Sequence, residues 1–175
     1  MNKRLEELVA ELQQLSPMPD DDSVTQEQLD AYKRVIYELD DVLEQDRDPR
    51  AIQPLIASLG YIDGFGLYQT TIGALAKFDD EQVMPHLLEA VQHGERGSRA
   101  WAALLLGHTK DRAVVPYLLP LLNDPEVHVR AHTALALSNI GDPSTRRALE
   151  QLQNDPSLDV RDAVEIALED FGSDE

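Results

Sequence analysis

Apolar residues come in two groups along residues 111–141, with a polar break between them. The first group is VVPYLLPLL at 114–122. The break is Asn123-Asp124-Pro125. In the second group Val129, Thr133, Ala136, Leu137 and Ile140 follow one another in steps of four, three, one and three. Those steps lie on one face of a helix with 3.6 residues per turn. Residues 142–172 repeat the pattern, with a break at Asn154-Asp155-Pro156 and a second group of Val160, Val164, Ala167, Leu168 and Phe171. Two antiparallel helices joined by a short turn are predicted in each segment.

The same pattern extends backwards. Cutting before Asp48, Asp80, Asp111 and Asp142 gives pieces of 32, 31, 31 and 31 residues, covering 48–79, 80–110, 111–141 and 142–172. Each piece opens on an aspartate, whose carboxylate can accept from the free N–H groups of a first helical turn. The break of the second piece runs from Gly94 to Gly97. Gly141 and Gly172 close the last two pieces, where a left-handed helix end is expected. A single hairpin cannot bury its own apolar face, so the hairpins are expected to stack. Small residues recur where stacked helices would approach: Ala100 and Ala131, Ala103 and Ala134, Gly107 and Ser138. In the last piece these places hold Asp162, Glu165 and Glu169, as expected of a terminal repeat that nothing covers. Before Asp48, residues 2–15 and 25–45 read as two amphipathic helices. Thr25 and Gln28 have capping-box spacing, and the Pro- and Asp-rich link 16–23 is predicted non-helical.

The predicted fold is therefore all-α: an α-α superhelix of four helical hairpins of about 31 residues, preceded by a helical pair. Residues 1–47 form the N-terminal cap and 48–175 carry the repeats, all in one structural domain. At this level the chain resembles the HEAT repeat family, in particular the short HEAT-like repeats of phycobilisome (bilin) lyases. The residues that carry the resemblance are DPEVHVRAHTALALSNIGD at 124–142 and, more weakly, DPSLDVRDAVEIALEDFG at 155–172. It extends over residues 48–172, about 70% of the chain. It implies the fold and leaves activity open, because the family includes lyases, DNA glycosylases, di-iron hydroxylases and binding modules.

Composition narrows the function. The formal net charge is −18, distributed as −8 over residues 1–47, −3 over 48–141 and −7 over 142–175. Such a field repels phosphate backbones and attracts basic proteins. Nucleic acid is therefore not an expected partner, and solubility alone is the other reading of the charge. There is no cysteine, which excludes disulfides, thiolate metal sites and a cysteine nucleophile. That composition fits a cytoplasmic protein. No apolar run nears the roughly 18 residues of a membrane span, so no membrane partner is expected.

Candidate chemistry is sparse. Arg99, Arg130 and Arg161 recur at one place in three repeats. They read either as a basic ladder for an anion or as structural ties to aspartates near the inter-repeat turns, such as Asp111 or Asp142. His128 and His132 are four apart, half of a possible metal site. The di-iron hydroxylases of the resembled family carry His-Glu pairs, and this sequence has no His-Glu dipeptide. No catalytic residue, metal or cofactor is assigned. The glycine-rich stretch 60–66 lies between two helices and lacks the strand of a nucleotide-binding loop. With two aromatic residues, it is also a candidate contact loop.

The expected partner-binding row lies on the second helices, which line the concave face of such solenoids: Trp101, Leu104 and His108, then His132, Leu135 and Asn139, then Ile166 and Asp170. Trp101 reads either as packing or as an interface anchor. The expectation is a non-enzymatic adaptor or inhibitor that binds a basic protein partner, with an immunity protein neutralising a basic toxin as its concrete form. The alternative is a bilin lyase or another phycobilisome-associated, chromophore-handling protein.

Overall fold

A computed structural model describes residues 3–18, 23–60 and 66–171. Among these residues the secondary structure is helical and no strand occurs. The chain divides into two compact units, Met1–His86 and Leu87–Glu175.

In the first unit, α1 (Lys3–Leu15) packs on α2 (Gln26–Leu43) and on α3 (Ile52–Ser58), and α4 (Leu67–Leu75) packs on α2 and α3. The core follows the predicted apolar stripes: Leu5, Leu8 and Leu12 of α1 and Val35, Ile36, Leu39 and Leu43 of α2 are buried. The capping box is formed: Gln28 N donates to Thr25 Oγ1 at 3.2 Å and Thr25 N donates to Gln28 Oε1 at 2.9 Å. Ion pairs between Arg4 and Glu38 and between Arg34 and Glu11 tie α1 to α2 on the surface. Lys77 lies between Asp40, at 3.1 Å, and Glu44.

A polar group sits at the centre of this unit. Tyr32 is fully buried, and its hydroxyl lies 3.1 Å from Ser58 Oγ and 2.9 Å from Thr71 Oγ1. Its ring meets that of Tyr68 edge-on, with centroids 6.2 Å apart. Burial raises the phenol pKa, so the group stays neutral. Tyr32→Phe keeps the packing and removes the hydroxyl. Ser58 and Thr71 retain their own carbonyl acceptors, Leu55 and Leu67. The variant is therefore expected to lose only about 1–2 kcal/mol in urea unfolding.

α5 (Asp80–His93) runs across the division between the units. Its cap differs from the expectation. Asp80 is already helical, and the first helical bonds return to Asp79 O, from Gln82 N at 2.9 Å and Val83 N at 3.2 Å. The helix starts one residue earlier than the piece boundary implied. The other three aspartates do cap, accepting from Arg50 N, Ala113 N and Ser144 N at 2.9–3.0 Å.

In the second unit, α6 (Arg96–His108), α8 (Val127–Ile140) and α10 (Leu158–Asp170) pack side by side. Between them the first helices of the last two repeats are broken. Arg112–Val114 is a 3-10 turn, α7 (Val115–Leu118) is one α-turn, and Leu119–Asn123 is 3-10 again. The fourth repeat likewise places α9 (Arg146–Gln151) between 3-10 turns Pro143–Thr145 and Leu152–Asn154. Two straight helices were expected. In the third repeat Pro116 and Pro120 supply no N–H, so that segment cannot hold an uninterrupted α-ladder.

The second helices meet the expectation closely. Val129, Thr133, Ala136, Leu137 and Ile140 are all buried, as are Val160, Val164 and Ala167. Gly141 ends α8 at φ 66°, and its N–H reaches Leu137 O and Ser138 O. The small stripe is buried too, from Ala100, Ala103 and Gly107 to Ala131, Ala134 and Ser138, whereas Asp162, Glu165 and Glu169 are exposed. The second break is narrower than expected: it is Gly94-Glu95, and Gly97 is already inside α6. Gly172 and most of the glycine-rich stretch, 61–65, lie outside the described residues.

Candidate functional site

The expected partner row falls on three adjacent helices. Trp101, Leu104, His132 and Leu135 are half-buried, and His108, Asn139, Ile166 and Asp170 are exposed. Residues three and four apart on a helix share a face, which aligns Trp101 with His108 through Leu104 and aligns His132 with Asn139 through Leu135. Ile166 is 53% exposed, high for a β-branched apolar side chain on a packed helix.

Two contacts join members of this row to neighbouring helices. The Trp101 and His132 rings meet edge-on at 5.4 Å, linking α6 to α8. Asp170 accepts from Ser138 Oγ at 3.0 Å, linking α10 to α8. Neither pairing was anticipated, because both join residues about 31 positions apart. His128 stacks on His132 with centroids 6.4 Å apart. His132 Nδ1 lies 3.2 Å from the Ala100 carbonyl. A carbonyl only accepts, so Nδ1 carries the proton of the neutral ring and Nε2 is left as acceptor. Burial lowers the His132 pKa, and the His128 charge lowers it further. The ring is therefore neutral at physiological pH. Among the described residues no group of three or more His, Cys, Asp or Glu side chains is placed to hold a metal ion.

The arginine series is a set of structural ties. Arg99 Nε and Nη2 donate to both carboxylate oxygens of Asp124, at 2.9 and 3.1 Å. Arg130 grips Asp155 in the same way, at 2.8 and 2.9 Å. The partners are the aspartates of the next repeat's internal turn, not Asp111 or Asp142. Asp111 and Asp142 cap the 3-10 turns, while Asp124 and Asp155 accept likewise from the N–H two residues on, of Glu126 and Ser157, and face the arginines as well. The signal was present: an Asp-Pro turn stands 25 residues after Arg99 and after Arg130. Each arginine also holds its own turn, with Nη1 on Gly94 O for Arg99 and on Asp124 O and Pro125 O for Arg130.

Comparison with known proteins identifies this architecture. Residues 92–169 match the model of the HEAT repeats, and the fold is of the all-α, α-α superhelix class. Human deoxyhypusine hydroxylase, solved in complex with glycerol, shares the fold with a TM-score of 0.59 and 23% sequence identity. The match covers 95% of this chain and 63% of that one, so this chain spans less than two thirds of the hydroxylase's length. No curated protein matches in sequence. Among the described residues no helix is long and apolar enough to cross a membrane.

These findings correct the functional expectation. A non-enzymatic adaptor or inhibitor was expected, with an immunity protein as its concrete form and a bilin lyase or phycobilisome-associated protein as the alternative. The fold on which that expectation leaned is shared with a hydroxylase, which is an enzyme. Stacked hairpins are a scaffold, and activity resides in a few side chains laid on it, so this architecture does not select against catalysis.

Proposed function

We propose that the chain recognises a basic polypeptide along the accessible sides of α6, α8 and α10, with Trp101, Leu104, His108, His132, Leu135, Asn139 and Asp170 as contact residues. The observation that carries this reading is the Trp101–His132 pair, an aromatic group held edge-on against a neutral imidazole. Leu104, Leu135 and the exposed Ile166 extend the surface in apolar form. An aromatic anchor within an apolar strip suits polypeptide side chains better than sugars or phosphates. The net charge of −18 favours a basic ligand and speeds its encounter. Such a surface holds a polypeptide substrate as readily as a partner protein.

Trp101 is the chain's one tryptophan, so its emission reports directly on this surface. Basic proteins captured from lysate are titrated against the chain while that emission is followed, with labelled ligand used for the variants. Trp101→Ala is expected to weaken binding by about 2 kcal/mol, roughly thirtyfold, as truncated anchors do. Asp170→Asn keeps an acceptor for Ser138 and removes the charge. It is expected to weaken binding several-fold at low salt and little at high salt. Unchanged affinity in both variants, with helicity intact, would put recognition elsewhere on the molecule.

A further inference from the structure

The fold fixes the hydrogen-bonding sense of His132. Its Nδ1–H is committed to the Ala100 carbonyl of α6 at 3.2 Å, which leaves the lone pair on Nε2. Among the described residues Nε2 has no hydrogen-bond partner and is not sealed from solvent, so this lone pair is offered to the surface beside Trp101. A proton added to the ring can go only to Nε2. That step turns the atom from acceptor into donor and makes the ring cationic. The surroundings do not offset the charge. On α8, His128 stacks on the ring, and its charge opposes a second one. α6 contributes Arg96, Arg99 and His108 and no carboxylate. The carboxylates of α10 are Asp159, Asp162, Glu165, Glu169 and Asp170, and neither they nor Arg161 act on the ring. α7 and the 3-10 turn Leu119–Asn123, which also pack on α8, carry no charged side chain.

We propose that Nε2 of His132 is the acceptor that reads an N–H donor side chain of the bound polypeptide, and that protonating this ring closes the strip to a basic ligand. The proposal rests on recognition along α6, α8 and α10. It adds the atom that selects the ligand and the condition that releases it. A cationic N–H group satisfies a neutral Nε2. A protonated Nε2 turns the same group away, for want of a lone pair and through like charge. Burial and the His128 charge keep the ring neutral at physiological pH, so the site is open there. It closes as pH falls below the ordinary histidine value of about 6.5. Linkage works both ways: a ligand held by the lone pair makes the proton harder to add.

The probe is a short fluorescein-labelled peptide of alternating lysines and leucines, whose ammonium groups stay charged throughout the range used. Anisotropy titration against the full chain, in about 0.15 M salt, is expected to show saturable binding at about pH 7.5 that weakens roughly tenfold or more by about pH 5.5. Variants separate the ring nitrogens, because the amide of asparagine reaches the place of Nδ1 and that of glutamine the place of Nε2. His132→Asn keeps a donor for the Ala100 carbonyl and is expected to bind weakly at either pH. His132→Gln returns an acceptor that does not titrate, so it is expected to bind more tightly than His132→Asn and to lose most of the pH dependence. His128→Gln removes the opposing charge, and the midpoint of the loss should rise. Nitrogen NMR spectra of the imidazoles in the free chain are expected to show a bare Nε2 at about pH 7.5, and a protonation midpoint that falls when the peptide is added. A proton on Nε2 in those spectra overturns the proposal whatever the peptide does. Binding that is lost on Trp101→Ala but is flat in pH, or equally pH-dependent in His132→Gln, overturns this proposal alone. No binding, or binding indifferent to Trp101→Ala, overturns recognition along the strip as well.

Discussion

Gly107→Ala is expected to destabilise the second unit by about 1–3 kcal/mol, although the substitution improves the helix in which it lies. Alanine in a helix interior normally gains about 1 kcal/mol over glycine. At Gly107 a Cβ would stand 2.5 Å from Ala136 Cα, 2.7 Å from Ala136 Cβ and 2.9 Å from Ala136 O. Two of those atoms are backbone of α8, so no rotamer change relieves the overlap and the two helices must move apart. The packing loss then exceeds the propensity gain. Gly73 supplies the control. It is exposed in α4, and a Cβ there meets nothing within 4 Å. Gly73→Ala is expected to stabilise by up to about 1 kcal/mol. Urea unfolding of the two variants should move the midpoint in opposite directions. A gain at both positions would mean that α6 and α8 lie further apart than described.

Asp155→Ala is the second large effect, with an expected loss of about 3 kcal/mol. The Asp155 side chain is 5% exposed and that of Arg130 is 11% exposed, so the pair is largely out of water. Removing the carboxylate takes away the acceptor of both Arg130 Nε and Arg130 Nη2. It also removes the acceptor of Ser157 N, at 2.8 Å. Asp124→Ala is expected to cost less, because Arg99 is 21% exposed and water replaces more of the lost contact. The pair also sets a pH dependence. The Arg130 hydrogen bonds hold the Asp155 pKa below its ordinary value, against the opposing effect of burial. A carboxylate whose pKa is depressed by folding contributes stability that is complete above its unfolded pKa, about 4. That contribution is lost as pH falls through the lower folded value. The difference in urea midpoint between the native chain and Asp155→Asn should therefore be largest at neutral pH and shrink below about pH 4. A difference independent of pH would show that the carboxylate's charge does not stabilise the fold.

Both predictions concern places where the repeat is legible in one dimension and its energetics are not. The alignment of Gly107 with Ser138 marks both as sites of close approach. It does not tell that Gly107 has no room for a methyl group while Ser138 uses its hydroxyl to reach the Ala167 carbonyl and Asp170. Repeat spacing put Arg99 and Arg130 in register, but the expected partners were the wrong aspartates. Asp111 and Asp124 both accept from the backbone N–H two residues on, and only Asp124 also faces a neighbouring arginine, which the stacking of the repeats decides.

The candidate surface was legible as a row and not as contacts. The 3.6-residue period put Trp101, Leu104 and His108 on one side of α6, and the repeat length carried the row to His132, Leu135 and Asn139. That Trp101 meets His132, one repeat away, depends on helix spacing and ring rotamers. So does the neutral state of His132, which comes from its burial.

The sequence by itself determined the helical class, the HEAT-type period, the buried faces of the second helices and the caps at Asp48, Asp111 and Asp142. All of these arise from interactions between residues close in the chain, or from a pattern that each repeat carries whole. Only the tertiary structure decided which carboxylates Arg99 and Arg130 hold and how tightly α6 approaches α8. Those depend on groups some 25 to 31 residues apart whose distance is fixed by how one hairpin settles on the next, and no local preference encodes that distance.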